Sequence, residues 1–274
     1  MNIYSIPSHI LVYSPENDGV LDFGEINGYI REKFMNIKVE ARENFFEFIK
    51  KFISEEAEKK NLNYIAKRIV EAKIIDVGRK ECKSEILPGE IEYERRFMEG
   101  KTKSVGILYD GIKLSLLYRG FIPYKEKNWN YCHIIFTNRL LGTWDENDRR
   151  YHARASVYAF PSLISITGIV EAPAKPREFY LDLYAGKSVD IIKEEYRGRF
   201  IDYDDERLTE VAKGYVMQAI FFHITGEAFC NDVNCRLFNA HWQEELITSQ
   251  IKSKYEFCNM HKKMLEEINE RENE

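Results

Sequence analysis

A mixed α/β fold is predicted by three features of the sequence. Strand-like and helix-like runs alternate at the front of the chain, β-branched and alternating segments crowd its middle, and a long, widely apolar helical segment, residues 206–225, stands near its end. With 274 residues, 44% of them hydrophobic, the chain can bury a sizeable core as one large domain or two modest ones.

In order along the chain, residues 10–13 form a short apolar run that ends in Ser14-Pro15-Glu16-Asn17-Asp18-Gly19, the pattern of a buried strand closed by a turn. Residues 22–34 read as a helix and 37–41 as an alternating strand. Residues 44–72 carry apolar side chains at helical spacing, with a break expected at Asn61-Leu62-Asn63. Asp110-Gly111 sits between two alternating segments, 105–109 and 112–118, and predicts a two-residue hairpin, because both turn positions tolerate positive φ. Further strands are expected at 131–137, 153–160 and 163–169, around a polar loop at 142–150. Residues 172–176, Ala-Pro-Ala-Lys-Pro, read as a linker. The segments 179–185 and 189–195 then lead into the helix at 206–225. Leu208, Val211, Ala212, Tyr215, Val216, Ala219, Ile220 and Phe222 give that helix a wide apolar face, so it should be buried. Asp204 or Asp205 is placed to cap its start, and Gly226 to end it in a left-handed turn.

The residues that carry chemistry lie just beyond that glycine. Cys230 and Cys235 are separated by four residues and Cys258 and His261 by two, the paired spacing of tetrahedral structural zinc. Two ligands in one tight turn converge on a point, and a second turn closes the shell against water. The competing explanation is a set of ordinary buried thiols with a surface histidine. Three of the five cysteines fall in this one segment, which favours the metal; Cys82 and Cys132 lie far away and are assigned to the core. An odd cysteine count without a disulfide framework fits a reducing compartment. No stretch approaches the roughly 20 apolar residues of a membrane helix, and the first residues lack a basic region followed by an apolar one, so the expected location is the cytoplasm. A formal net charge of -5 argues against nonspecific nucleic-acid binding, which needs a concentrated basic face.

His223-Ile224-Thr225-Gly226, Cys230 four residues past that glycine, the four-residue gap to Cys235 and the later Cys258-x-x-His261 follow one known order: H-E-x-x-H-x-x-G-x-x-H-C-x-x-x-x-C-x-M, then a C-x-x-C pair. Over residues 219–261 the chain resembles the archaemetzincins, a metzincin-related family of zinc metallopeptidases. The resemblance implies a zinc-peptidase α/β domain with a twisted mixed sheet, an active-site-type helix and a small zinc-bound C-terminal lobe. Residues 1–225 would form the core and 226–274 the lobe with a charged tail, as one structural unit. It also places the family's first zinc histidine on Ala219, its general-base glutamate on Ile220, its third histidine on Phe229 and its turn methionine on Leu237. Of the catalytic group only His223 remains, as a vestige. A hydrolytic zinc needs three protein ligands, an open position for water and a carboxylate to take the water's proton, and Ala219 and Ile220 supply neither ligand nor base. His261 stands where the family has its last cysteine, an exchange that zinc accepts.

The expectation is one structural Zn²⁺ on Cys230, Cys235, Cys258 and His261, no standard peptidase activity, and a cleft open to a peptide or protein partner. Two alternatives remain. One is a hydrolase with a second, catalytic ion on His223 and ligands recruited from Glu227, His241 or Glu244. The other is a zinc-stabilised interaction or nucleic-acid module, for which Arg236, Lys252, Lys254, Lys262 and Lys263 are the local basic residues. His223 itself is expected to be a core or groove histidine bonded to a backbone carbonyl, and His241 with Glu244 a solvated face. His9, His133 and His152 are dispersed among strand-like segments, where one of them could meet His223 in space.

Overall fold

The computed structural model describes residues 5–17, 19, 21–52, 55–81, 85–103 and 106–270. Among them are eight strands: β1 (His9–Tyr13), β2 (Lys38–Arg42), β3 (Leu108–Asp110), β4 (Tyr131–Thr137), β5 (Leu140–Asp145), β6 (Arg150–Arg154), β7 (Ser156–Val157) and β8 (Ser162–Ser165). The main sheet has the order β2-β1-β4-β8-β7, with the first four strands parallel and β7 antiparallel at one edge; β3, β5 and β6 form a second, three-stranded sheet. The α/β class holds.

The strand cores are near-continuous apolar runs because both faces of a parallel sheet are covered. Period-two alternation divides those runs between two cores. Ile10, Val12, Cys132, Ile134, Phe136 and Ile164 face α1 (Phe23–Lys33), while Leu11, Tyr13, Ile135 and Leu163 face α2 (Phe45–Lys50) and α3 (Glu55–Val70). Cys132 is thus the core residue it was expected to be, whereas Cys82 lies outside the described residues.

Four local expectations are corrected. Asn61-Leu62-Asn63 lies inside α3, and the break falls between Lys50 and Glu55. Asp110-Gly111 is no hairpin. The Asp110 carboxylate accepts the backbone N–H of Ile112 and of Lys113, each at 3.1 Å, and so starts a helix. After α4 (Pro88–Met98), that helix is α5 (Gly111–Phe121), held by Leu114 and Tyr118 at a spacing of four. The polar loop at 142–150 is instead the β5–β6 hairpin, whose turn is closed by Asp145 accepting from the N–H of Asn147 and Asp148. The strand expected at 163–169 stops at Ser165, whose hydroxyl accepts from the N–H of Gly168 at 2.7 Å and caps α6 (Ile166–Glu171).

The supposed linker is pinned. Ala174 donates to the His241 carbonyl and accepts from Gln243, both at 2.8 Å. Beyond it come α7 (Arg177–Tyr184), α8 (Val189–Glu195) and the long α9 (Leu208–Thr225), which packs on α1, β4 and β8. Asp205 bonds the N–H of Arg207 at 3.0 Å just ahead of α9, and Gly226 ends the helix at φ +80°. After α10 (Gln243–Gln250) and α11 (Asn259–Glu270), the lobe's Cys230, Cys235, Leu237, Leu246, Leu265 and Ile268 belong to the same apolar cluster as β1, β4, α1 and α9.

At the carboxyl ends of β1 and β4, where a parallel sheet usually opens a ligand crevice, the chain is filled from within. Arg139 is fully buried, paired with Glu16 and, at 3.1 Å, with the equally buried Glu94, and its guanidinium lies 4.2 Å from the Phe97 ring centre. No helix among the described residues is long and apolar enough to cross a membrane.

Candidate metal centre and the neighbouring cleft

Gly226 turns the chain out of α9 and into a tight knuckle. Cys230 donates its N–H to the Leu237 carbonyl at 2.8 Å, Cys235 donates to Asp232 at 2.9 Å, and the N–H of Asp232 points back at the Cys230 sulfur at 3.4 Å. The second ligand pair opens α11. Cys258 precedes its first residue and His261 is its third, so the spacing of three puts both on one side. The Arg236 N–H bonded to the Glu256 carbonyl at 2.8 Å ties the two turns together.

The four side chains converge, with their ligand atoms all within 4.8 Å of one another. Cys230 Sγ lies 3.9 Å from Cys258 Sγ, and His261 Nδ1 lies 3.2 Å from Cys258 Sγ and 3.6 Å from Cys235 Sγ. A tetrahedral ion with Zn–S near 2.3 Å and Zn–N near 2.0–2.1 Å would put sulfurs about 3.8 Å apart and sulfur about 3.5 Å from nitrogen. The donor set fits that shape. Cys235 is fully buried, His261 and Cys230 nearly so, and the Phe221 ring stands edge-on to His261 at 5.4 Å. Burial pushes the Cys230 thiol up and that of Cys235 to about 12, and it pulls His261 down. A cation held among them would supply the charge that thiolates require. Among the described residues this is the one group of three or more His, Cys, Asp and Glu side chains placed to hold a metal.

The positions assigned to catalysis by resemblance do not converge. Ala219, Ile220 and Leu237 are fully buried in the apolar core. His223 donates from Nε2 to the Trp129 carbonyl at 2.8 Å, the carbonyl-bonded arrangement expected of it, and burial lowers its pKa. Of the dispersed histidines, His133 shares a neighbour with His223: both lie against the Phe160 ring, at 5.4 Å and 6.3 Å between centres. Glu227 is exposed beyond the helix-ending glycine. His241 is exposed and lies ahead of α10 rather than on it, and Glu244 pairs with Arg199 at 2.8 Å, so the two share no helical face. Arg236, counted among the basic surface residues, is buried and paired with Glu210.

The face of α9 that meets open space is offset by one residue. Tyr215, Gln218, Phe222 and Gly226 line a cleft of about 600 Å³, whose wall also takes in β6, β7, residues 227–229 and 238–241 and part of α10. Tyr158 donates to Gln218 Oε1 at 2.6 Å, Gln218 Nε2 donates to the Phe238 carbonyl at 2.9 Å, and the Tyr158 ring sits between Phe222 and Phe229. Sequence reasoning missed this set. The signal was a neutral amide, Gln218, in the middle of an apolar helical run.

No curated protein and no solved structure matches this chain. A family model described as "Probable metallopeptidase family (DUF6775)" matches residues 6–268. That match spans nearly the whole chain, which therefore belongs to this family.

Proposed function

We propose that the chain is an archaemetzincin-like, cytoplasmic protein in which Cys230, Cys235, Cys258 and His261 hold one zinc ion as a structural clamp, ordinary peptide-bond hydrolysis is lost, and the cleft beside α9 serves for binding. The observation that carries this reading is the convergence of four soft and borderline ligand atoms within 4.8 Å, three of them on buried residues and Cys258 half-buried. A closed shell of four protein ligands leaves no position for a reacting water, which is what separates a structural zinc from a catalytic one. The burial of Ala219 and Ile220 supports the loss of hydrolysis, since neither can bind a metal or move a proton. Residues 1–225 and 226–274 act as one unit in this reading, with the ion fixing the lobe to α9.

The family's description favours a second reading, a hydrolase with a catalytic ion held by His223 and recruited ligands. Elemental analysis of protein purified without added metal separates the two. One zinc per chain, unchanged in His223→Ala, is the expected result. Two, falling to one in the variant, would overturn the structural reading in favour of the hydrolase.

A further inference from the structure

We infer that the cleft beside α9 is a binding site for an uncharged apolar body that carries a carboxylate, with Arg154 as the anion anchor and the Tyr215 hydroxyl as a hydrogen-bond donor. This rests on the proposed reading, in which the cleft binds and does not cleave.

Arg154 ends β6. Its Nε donates to Thr143 Oγ1 at 2.8 Å, and the β5–β6 ladder fixes that contact by pairing Leu141 with Arg154 and Thr143 with His152. The remaining guanidinium nitrogens have no hydrogen-bond or ion-pair partner among the described residues, although the side chain is half-buried on the cleft wall. Asp145, on the same hairpin, makes no ion pair with it; its carboxylate accepts from Asn147 and Asp148 instead. A half-buried guanidinium held by one nitrogen presents its outer edge to a carboxylate in the two-point geometry that arginine favours.

A second, independent group points the same way. Tyr215 is 9% exposed and lines the cleft, yet its hydroxyl has no hydrogen-bond partner among the described residues. The oxygen itself stays accessible, so it can donate into the cleft. The Tyr158 hydroxyl beside it is already committed to Gln218. Phe222, Phe229, Phe238 and Leu246 supply the apolar wall. The one carboxylate on that wall, Glu227, is exposed and water-screened. The lining therefore mixes aromatic and aliphatic side chains with uncharged polar ones such as Gln218 and Asn239, around one unpaired cation, and at about 600 Å³ it has the size of a small-ligand site.

Two sources share this chemistry, a peptide C-terminus and a small arylalkyl carboxylic acid. Calorimetric titration of the full chain with N-acetyl-Leu-Phe, its C-terminal amide and 3-phenylpropionate tests the site. The free acid is expected to bind at least about tenfold tighter than the amide, and Arg154→Gln should remove that difference while the amide's affinity stays put. Phenylpropionate matching the dipeptide acid assigns the small acid as the source, and a clear preference for the dipeptide acid assigns the peptide terminus. Equal binding of acid and amide, no binding of the acid up to its solubility limit, or an unchanged acid affinity in Arg154→Gln would overturn the inference. Chromatography of the same mixtures keeps the two readings apart: release of free phenylalanine would overturn the loss of hydrolysis, whatever the affinities.

Discussion

His133 shows how a single buried ring ties stability to pH. Its Nε2 donates to the Glu126 carbonyl at 3.0 Å, which leaves Nδ1 to accept from the Tyr13 hydroxyl, also at 3.0 Å, while that hydroxyl accepts from Arg42 at 2.8 Å. Burial holds the ring neutral and brings its pKa down to about 4, from the 6.5 of a free imidazole. Between those values the unfolded chain takes up a proton that the folded chain refuses. The resulting stability is fully present above pH 6.5 and is lost as the pH falls toward 4, about 3 kcal/mol in all. Urea unfolding across that interval should show stability falling with acid in the native sequence and a flatter dependence in His133→Gln; parallel curves would contradict this. None of it was legible beforehand. A histidine in an apolar strand gives no spacing signal, and Tyr13 reaches it only because β1 and β4 are neighbours. The convergence of Cys230, Cys235, Cys258 and His261 could be read because each pair is local, with its spacing written along the chain.

Elements were legible where one period ran undisturbed. β1, β4, α1 and α9 lie close to their expected bounds, since each has a face or an interior that only one period can fill. The reading failed where a capping side chain decided the matter. Asp110 starts α5 where a hairpin was expected, and Ser165 converts the end of a strand into α6, because a side chain that satisfies free N–H groups of the first turn, two for Asp110 and one for Ser165, outweighs weak alternation. Glycines make the same point about contacts that no local pattern reveals. A methyl added at Gly168 in α6 would lie 2.3 Å from the Arg154 carbonyl oxygen and 2.9 Å from Ala155 Cα, and backbone cannot step aside as a flexible side chain can. Gly168→Ala should therefore cost roughly 3 kcal/mol, although alanine is the better helix former. At Gly28 in α1 the same methyl meets nothing within 4 Å, so Gly28→Ala should gain up to about 1 kcal/mol. Thermal melts of the two variants should shift in opposite directions.

At the level of the molecule, the lobe and the sheet share one apolar cluster, so they should unfold together. Cys235→Ser is expected to lower the melting temperature of the whole chain and reduce its metal content in a single transition, and a chelator should act on the native protein in the same way. A separate low-temperature step for the lobe, or an unchanged melt, would show that the ion does not hold the two parts together. The lobe could be read from its ligands, but the cleft could not. Its wall is gathered from α9, α10, β6, β7 and residues scattered between 112 and 250, and no stretch of sequence carries more than a fragment of it. The interior charges at the ends of β1 and β4 bear on the history open to this chain. In a doubly wound sheet the loops after those strands are ordinarily the freest to diverge, and new activities arise there without disturbing the frame. Here Glu16 and Arg139 occupy those loops as buried partners of each other. A drift in either leaves an orphaned charge inside the protein, so the segments that are elsewhere the workshop of innovation are held as tightly as the core, and novelty must come at the sheet's rim.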